Sequence, residues 1–146
     1  NVINLIAPTP FFFADRYFSY DDAIYAAIRL LMILSHSKQS LAKMHDDLPK
    51  MLNTPELRID CSEERKFDVI KEIKNRLGSE VDITVSDIDG VRVETKEGWW
   101  LIRASNTQAV LVVRCESTSK RGLSFLKKQI RNQLTASAVE LPFNLI

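Results

Sequence analysis

Residues 89–107, which read DGVRVETKEGWWLIRASNT, decide the fold of this chain. Asp89 and Gly90 form a pair typical of tight turns, and Val91 and Val93 then alternate with charged neighbours, as in a half-buried strand. A second short turn leads into another apolar strand, which begins with two adjacent tryptophans. Two strands joined by so short a connection run antiparallel, so this stretch predicts the centre of an antiparallel sheet.

Apolar patterns on either side of this stretch predict further strands. Apolar residues alternate with polar ones near 57–61 and 81–85, and a nearly continuous apolar run follows at 109–115. Alternation is typical of strands with one face against a core, and a continuous run is typical of a strand buried on both faces. These patterns extend the predicted sheet to both sides.

Two amphipathic helices accompany the predicted strands. One is predicted over residues 62–77, with Ser62 as its cap and Gly78 as its end, and the other over residues 119–134. Their apolar residues recur at helical spacing. The expected inward faces carry Phe67, Ile70, Ile73 and Leu77 in the first helix, and Leu123, Leu126, Ile130 and Leu134 in the second.

This order of elements predicts an α+β fold, in which a mainly antiparallel sheet carries two helices on one face. A helical segment precedes it, with a helix from Ser19 to about Ser35 and a shorter helix that Pro49 ends. We therefore divide the chain into a helical segment, residues 1–52, and an α+β domain, residues 53–146.

The end of the tryptophan strand carries side chains suited to an anion. Arg103 offers a rigid fork of N–H donors, two of which can pair with two phosphate oxygens. Ser105, Asn106 and Thr107 follow it and add hydroxyl and amide donors. Ser, Asn and Thr are also ordinary turn formers, so a polar linker between two strands is the alternative interpretation.

Several stretches resemble the C-terminal part of the bacterial phosphoglucomutase/phosphomannomutase family, the alpha-D-phosphohexomutases. The resemblance covers about residues 11–143 and is most specific in the string RASNT. On this resemblance, residues 1–52 are the end of the family's third domain and residues 53–146 are its fourth domain. It is carried by FFADRYFSYDDAIY at 12–25, NTPEL at 53–57, DGVRV at 89–93, RASNT at 103–107 and VELPF at 139–143.

The resemblance implies an enzyme that moves a phosphoryl group reversibly between C6 and C1 of a hexose phosphate. In such enzymes a phosphoserine of the first domain donates the group, Mg²⁺ held by the second domain assists, and a hexose 1,6-bisphosphate is the intermediate. The fourth domain grips the non-reacting phosphate of the substrate. Carried over residue by residue, that role falls on Arg103, Ser105, Asn106 and Thr107.

The strings that carry the chemistry of this family have no counterpart in the chain. The phosphoserine segment and the aspartate-rich magnesium loop are missing, and residues 6–11 stand where the sugar-reading loop is expected. We therefore expect no catalytic residue, metal or cofactor here, and no turnover by the chain alone, because phosphoryl transfer depends on positioning and metal charge. Mg²⁺ and the bisphosphate would belong to a full-length enzyme. The expected partners are a hexose phosphate and that enzyme's N-terminal domains.

The composition of the 146 residues favours no general class of charged partner. They include 20 basic and 19 acidic residues for a net charge of +1, so we expect no binding to nucleic acid or to a membrane surface. Cys61 and Cys115 lack the spacing of a zinc site or a disulfide framework, which favours buried thiols and a cytoplasmic protein. No apolar stretch is long enough to cross a bilayer.

Two other functions stay open on the residues alone. The last predicted helix carries several lysines and arginines, and one of the paired tryptophans must face away from the core, which is compatible with a standalone nucleic-acid-binding module. The apolar stripe of the helix near 19–35 could instead serve a protein-interaction module. His36 and His45 have no ligand pattern around them and are expected to be exposed.

Overall fold

The computed structural model describes residues 17–18, 21–78 and 82–141. The chain divides into two compact units, Asn1–Leu48 and Pro49–Ile146. The boundary predicted after residue 52 falls inside the first strand of the second unit. The assignment of the two parts to successive domains of a longer protein stays a prediction.

The first unit contains two helices in its described part, α1 (Ala23–His36) and α2 (Leu41–Asp46). Asp22 caps α1, because its Oδ1 accepts the backbone N–H of Tyr25 at 2.9 Å. The predicted cap, Ser19, lies outside the described residues. The helix begins after Asp22 because this carboxylate satisfies a backbone donor that the first turn leaves open.

Helix α1 exposes the apolar stripe that its spacing predicts. It buries none of its residues, and Ile24 and Leu31 are 75% and 64% exposed. The helix therefore owes little of its stability to a core of its own. Within the described ranges, no helix is long and apolar enough to cross a lipid bilayer.

The second unit is built on one six-stranded sheet. Its strands are β1 (Leu52–Asn53), β2 (Leu57–Asp60), β3 (Thr84–Ser86), β4 (Val91–Thr95), β5 (Gly98–Ala104) and β6 (Val110–Ser117). They lie in the order β1-β6-β5-β4-β3, and β2 also pairs with β6. Every neighbouring pair is antiparallel, so residues 89–107 form the central hairpin that their sequence predicts.

Two helices, α3 (Glu63–Leu77) and α4 (Lys120–Ala136), pack on one face of this sheet. Burial of a large apolar side chain stabilises a fold by about 1.5–3 kcal/mol, and the core contains many. The structure thus confirms the predicted α+β arrangement. The buried side chains include Val69 and Ile73 of α3, Leu126, Ile130 and Leu134 of α4, and Ile59, Val91, Val93, Trp100, Ile102, Leu111 and Val113 of the strands.

Two local predictions differ from the structure. The strand predicted near residues 81–85 is observed as β3, residues 84–86, because this edge strand pairs only with residues 92–94 of β4. Val81 lies outside the described residues. Ser62 occupies the N-cap position of α3, but its hydroxyl makes no capping hydrogen bond. The pKa of the nearby Glu64 carboxyl is lowered by its own backbone N–H and by the Ser62 hydroxyl.

The inward face of α3 is also rotated from the predicted one. Ile73 and Leu77 are buried as predicted, but Phe67 is 50% exposed. Val69 and Lys66 are buried on this face in place of the phenylalanine. The apolar pattern alone predicted the wrong inward face, because Lys66, which is not apolar, occupies one of the buried positions.

The adjacent tryptophans lie on opposite faces of β5, as alternation along a strand requires. Trp100 fills the core, and its indole N–H donates to Gln129 Oε1 at 3.1 Å. Trp99 is half-buried on the other face, where the guanidinium of Arg92 lies 4.8 Å from its ring centroid. This cation–π contact gives the outward-facing tryptophan a partner within the protein.

Candidate functional site

The loop that joins β5 to β6, residues 105–109, is held at both of its ends. Ser105 N donates to Val110 O at 3.0 Å, which closes the loop on itself. Cys61 N donates to Ala109 O at 2.9 Å, which fixes the loop to the segment leading into α3. Because its backbone groups are paired, the loop presents its side chains from a defined position.

Arg103 lies at the end of β5, on the sheet face opposite the helices, since its neighbours Ile102 and Ala104 are in the core. Its side chain is 32% exposed, and its Nη1 lies 3.7 Å from Asp89 Oδ2. That distance exceeds a hydrogen bond, so the pair is a loose ion pair. The guanidinium therefore keeps N–H donors available for an anion.

A glycine sets the distance between the Asp89 turn and Arg103. Gly90 has a φ of +81°, which only glycine adopts readily. A Cβ atom at this position would lie 2.4 Å from Ile102 O and 2.6 Å from Arg103 Cα. The backbone of the turn therefore packs directly on the strand end, and this packing places the Asp89 carboxylate beside the arginine.

The other three predicted ligands differ in their exposure. Asn106 and Thr107 are exposed, whereas Ser105 is buried. The Ser105 Oγ accepts the backbone N–H of Thr107 at 3.4 Å, so this hydroxyl helps to shape the loop. We call Arg103, Asn106 and Thr107 the exposed rim. Its three side chains present donors to solvent at one end of the sheet.

A residue that the sequence analysis missed supports the loop from the core side. Lys66 of α3 is 1% exposed. Its Nζ donates to Ser105 O at 2.6 Å and to Gln108 O at 3.1 Å, and it pairs with Glu63 Oε2 at 2.6 Å. An ammonium group has three donors, and here each has an acceptor. We call Lys66, Ser105 and Gln108 the buried floor.

The residue spacing along α3 indicates that this lysine lies on the buried face of the helix. Lys66, Val69, Ile73 and Leu77 recur at three- and four-residue intervals and therefore share one helix face. A lysine on an apolar face near a helix start needs buried acceptors, because lysine is almost never fully buried without partners. The acceptors themselves are carbonyls, which no residue type in the sequence reveals.

The two cysteines are not activated nucleophiles. Burial raises the pKa of the Cys115 thiol and of the Cys61 thiol, so both stay protonated near neutral pH and are poor nucleophiles. His36 and His45 are exposed, as expected. No group of three or more His, Cys, Asp or Glu side chains among the described residues could hold a metal ion.

Surface hollows lie elsewhere on the second unit. A shallow one of about 440 Å³ is lined by Asp82, Ile83, Thr84, Glu94, Thr95 and Lys96. A hollow of about 510 Å³ on α4 is lined by Ser124, Lys127, Lys128, Arg131 and Asn132. The 105–109 loop lines neither of these two hollows. The hollow on α4 is basic and offers a second surface that could attract anions.

The comparison with protein families agrees with this geometry. Residues 56–133 match the family model described as phosphoglucomutase/phosphomannomutase, C-terminal domain. The match includes strands β2 to β6, helix α3, most of α4 and the 105–109 loop. The fold and the loop together therefore define a C-terminal domain of the phosphohexomutase class.

Individual relatives and a solved structure lead to the same family. A phosphomannomutase/phosphoglucomutase of Pseudomonas aeruginosa is 41% identical over 135 residues, which cover 90% of this chain and 29% of that protein. A phosphoglucomutase of Neisseria gonorrhoeae is 37% identical over 121 residues, which cover 82% of this chain and 26% of that protein. The crystal structure of a phosphoglucomutase/phosphomannomutase family protein from Burkholderia thailandensis matches with a TM-score of 0.73 and 34% identity, over 90% of this chain and 28% of that one.

The chain belongs to the phosphoglucomutase/phosphomannomutase family. It spans less than a third of the length of the curated relatives it matches.

Proposed function

We propose that this chain is the substrate-phosphate-binding part of a phosphohexomutase. Its exposed rim would grip the non-reacting phosphate of a hexose phosphate. The exposure of the Arg103 side chain and its loose pairing with Asp89 are the observations that support this proposal. The side chain is one-third exposed at a strand end, and the carboxylate beside it lies 3.7 Å away, beyond hydrogen-bond distance.

Each proposed ligand has a distinct role. Arg103 supplies two parallel N–H donors to two phosphate oxygens, and the Asn106 amide and the Thr107 hydroxyl donate to others. Ser105 shapes the loop through its buried hydroxyl. A charge-assisted hydrogen bond contributes about 1.5–3 kcal/mol. One arginine on an open loop therefore supports a dissociation constant of about 1 mM, near 4 kcal/mol.

Phosphoryl transfer would require a longer protein. We propose that its other domains provide the phosphoserine, the Mg²⁺ site and the sugar-reading loop for reversible transfer between C6 and C1 through a hexose 1,6-bisphosphate. Residues 1–52 and 53–146 would then be the end of its third domain and its fourth domain. The chain alone is expected to bind without turnover, and mutase activity above background in the isolated chain would contradict this expectation.

Amide NMR titration of the isolated chain tests the phosphate site. Glucose 6-phosphate and inorganic phosphate are expected to shift the amide signals of residues 103–107, with half-saturation at about 1 mM or above. R103Q should weaken binding by at least about tenfold, because glutamine keeps one amide NH2 group but loses the charge and the fork. R121Q, which removes an exposed arginine of α4, is the matched control and should bind as the wild type does.

Two other outcomes of this titration would contradict the proposal. Shifts confined to α4 would place the anion in its basic hollow, and an oligonucleotide with the same effect would favour the nucleic-acid-binding alternative. No shift at residues 103–107 with ligand at tens of millimolar would exclude a useful phosphate site there.

A further inference from the structure

We propose that Lys66 is a positioning residue for the phosphate site. It would hold the 105–109 loop in its binding conformation and place a buried positive charge beneath it. This inference rests on the proposed function, because it concerns how the same loop binds its anion. Lys66 itself is not among the residues that would touch the ligand.

The hydrogen bonds of Lys66 support the positioning role. Its Nζ contacts the carbonyl oxygens of Ser105 and Gln108, which lie at the two ends of the exposed segment containing Asn106 and Thr107. One cation therefore fixes both ends of the segment that carries the donors of the exposed rim. A binding site held in advance loses less conformational entropy when the ligand arrives.

The burial of Lys66 supports the electrostatic part of the proposal. Its side chain is 1% exposed, whereas Glu63, its ion-pair partner, is 59% exposed. A buried charge is screened less by water and salt than an exposed one. The positive charge of Lys66 therefore acts on a nearby anion more strongly than the solvated carboxylate offsets it.

The test compares four variants by amide NMR titration with inorganic phosphate and glucose 6-phosphate. K66M removes all three donors and the charge but keeps a similar stem, and it should weaken binding by about tenfold or more. K66R keeps the charge, but its planar guanidinium cannot donate in the same three directions, so it should weaken binding by only about threefold. K71M is the matched control, because Lys71 is a lysine of the same helix whose side chain is 73% exposed.

The fourth variant separates the charge from the geometry of the loop. E63Q keeps an oxygen for the Lys66 ammonium but removes the negative charge, so it should bind phosphate up to about threefold more tightly. A second measurement needs no ligand. Hydrogen exchange of the 105–109 amides should be faster in K66M and close to wild-type in K71M, because only K66M removes the two hydrogen bonds from Lys66 to the loop.

The outcomes distinguish this inference from the proposed function. If wild-type protein shifts at residues 103–107 and K66M binds as K71M does, the positioning role is wrong while the phosphate site stands. If K66M does not fold, the phosphate affinity of K66R is the test. An affinity in K66R equal to that of the wild type overturns the proposal. If wild-type protein does not bind phosphate at this loop, the proposed function fails and this inference fails with it.

Discussion

The exposed rim and the buried floor lie on opposite sides of the 105–109 loop, and they use their polar groups in opposite ways. In the floor, the Lys66 ammonium has three acceptors within 3.1 Å. In the rim, Arg103 has one carboxylate at 3.7 Å, and Asn106 and Thr107 face solvent. A change in the floor should therefore appear in the order of the loop as well as in ligand affinity, whereas a change in the rim should appear in ligand affinity alone.

The largest expected effect comes from the turn that places the rim. Gly90→Ala adds a Cβ atom that would lie 2.4 Å from Ile102 O, at a φ of +81°. Overpacking and a strained φ each cost about 1–3 kcal/mol, so we expect the free energy of unfolding to fall by about 3 kcal/mol in urea titrations.

Gly78→Ala provides the control for this variant. Gly78 ends α3 with a φ of −61°, and its nearest atoms would lie 3.7 Å from an added Cβ. This substitution should be neutral or should stabilise the fold by about 0.5 kcal/mol, through the unfolded chain. Equal losses in the two variants would show that the close approach of Gly90 to the strand end is unimportant.

The next effect separates affinity from stability within the loop. The double variant N106A/T107A removes two rim donors, and we expect phosphate affinity to fall by about thirtyfold, since each hydrogen bond from a neutral donor on this open loop contributes about 1 kcal/mol and two are lost. Its free energy of unfolding should change by less than about 0.5 kcal/mol, because both side chains are exposed. Titration by NMR and urea unfolding measure the two quantities. A loss of stability without a loss of affinity would reverse the assignment of rim and floor.

A smaller effect is expected at Asp89, whose carboxylate lies beside Arg103 of the rim. Asp89 is 67% exposed beside Arg103, and an arriving phosphate must compete with it for the guanidinium. D89N removes the negative charge but keeps a carbonyl oxygen, so phosphate affinity should rise by about twofold. D68N, on α3 and 58% exposed, is the control for a general change in net charge. Weaker binding by D89N alone would mean that the carboxylate orients the arginine more than it competes with the ligand.

Local sequence patterns predict most of this fold because each one concerns neighbouring residues. The pair Asp89-Gly90 requires a turn, and the alternation of Val91 and Val93 requires one face toward a core. The spacing of the apolar residues in α4 likewise predicts the buried Leu126 and Ile130. Turn chemistry and side-chain period act over a few residues, so these predictions need no knowledge of the rest of the chain.

The parts of the site that the sequence could not predict depend on distant backbone. Lys66 bonds carbonyls that are 39 and 42 residues away in the chain, and a carbonyl belongs to every residue type. The loose pair of Arg103 with Asp89 depends on how the hairpin packs at Gly90. Ser105 stays a predicted ligand, and alternation along the strand does not reveal that the loop buries it.

The smallest effect concerns an ion pair beside the floor. Arg65, next to Lys66, donates to Glu72 Oε1 at 2.6 Å and to Oε2 at 2.9 Å. The Arg65 guanidinium is the main cause that lowers the pKa of Glu72 from 4.5 to about 2. A carboxyl whose pKa is lower in the folded protein stabilises it above the unfolded value, and this contribution is lost as the pH falls through the folded value.

E72Q should therefore be less stable than the wild type near neutral pH, and the difference should shrink as the pH falls. The gap in thermal midpoint should be constant above about pH 5 and should close as the pH falls from 4.5 toward about 2. In R65Q the gap should narrow over the same pH range without closing, because Arg65 Nη2 also donates to Ser137 O at 3.0 Å. The double variant should add little to R65Q, because R65Q already removes the Arg65–Glu72 pair. A gap that stays constant down to pH 2 would mean that Glu72 acts through packing. Unlike the floor, this pair is 39% exposed on each side, so phosphate affinity should not change.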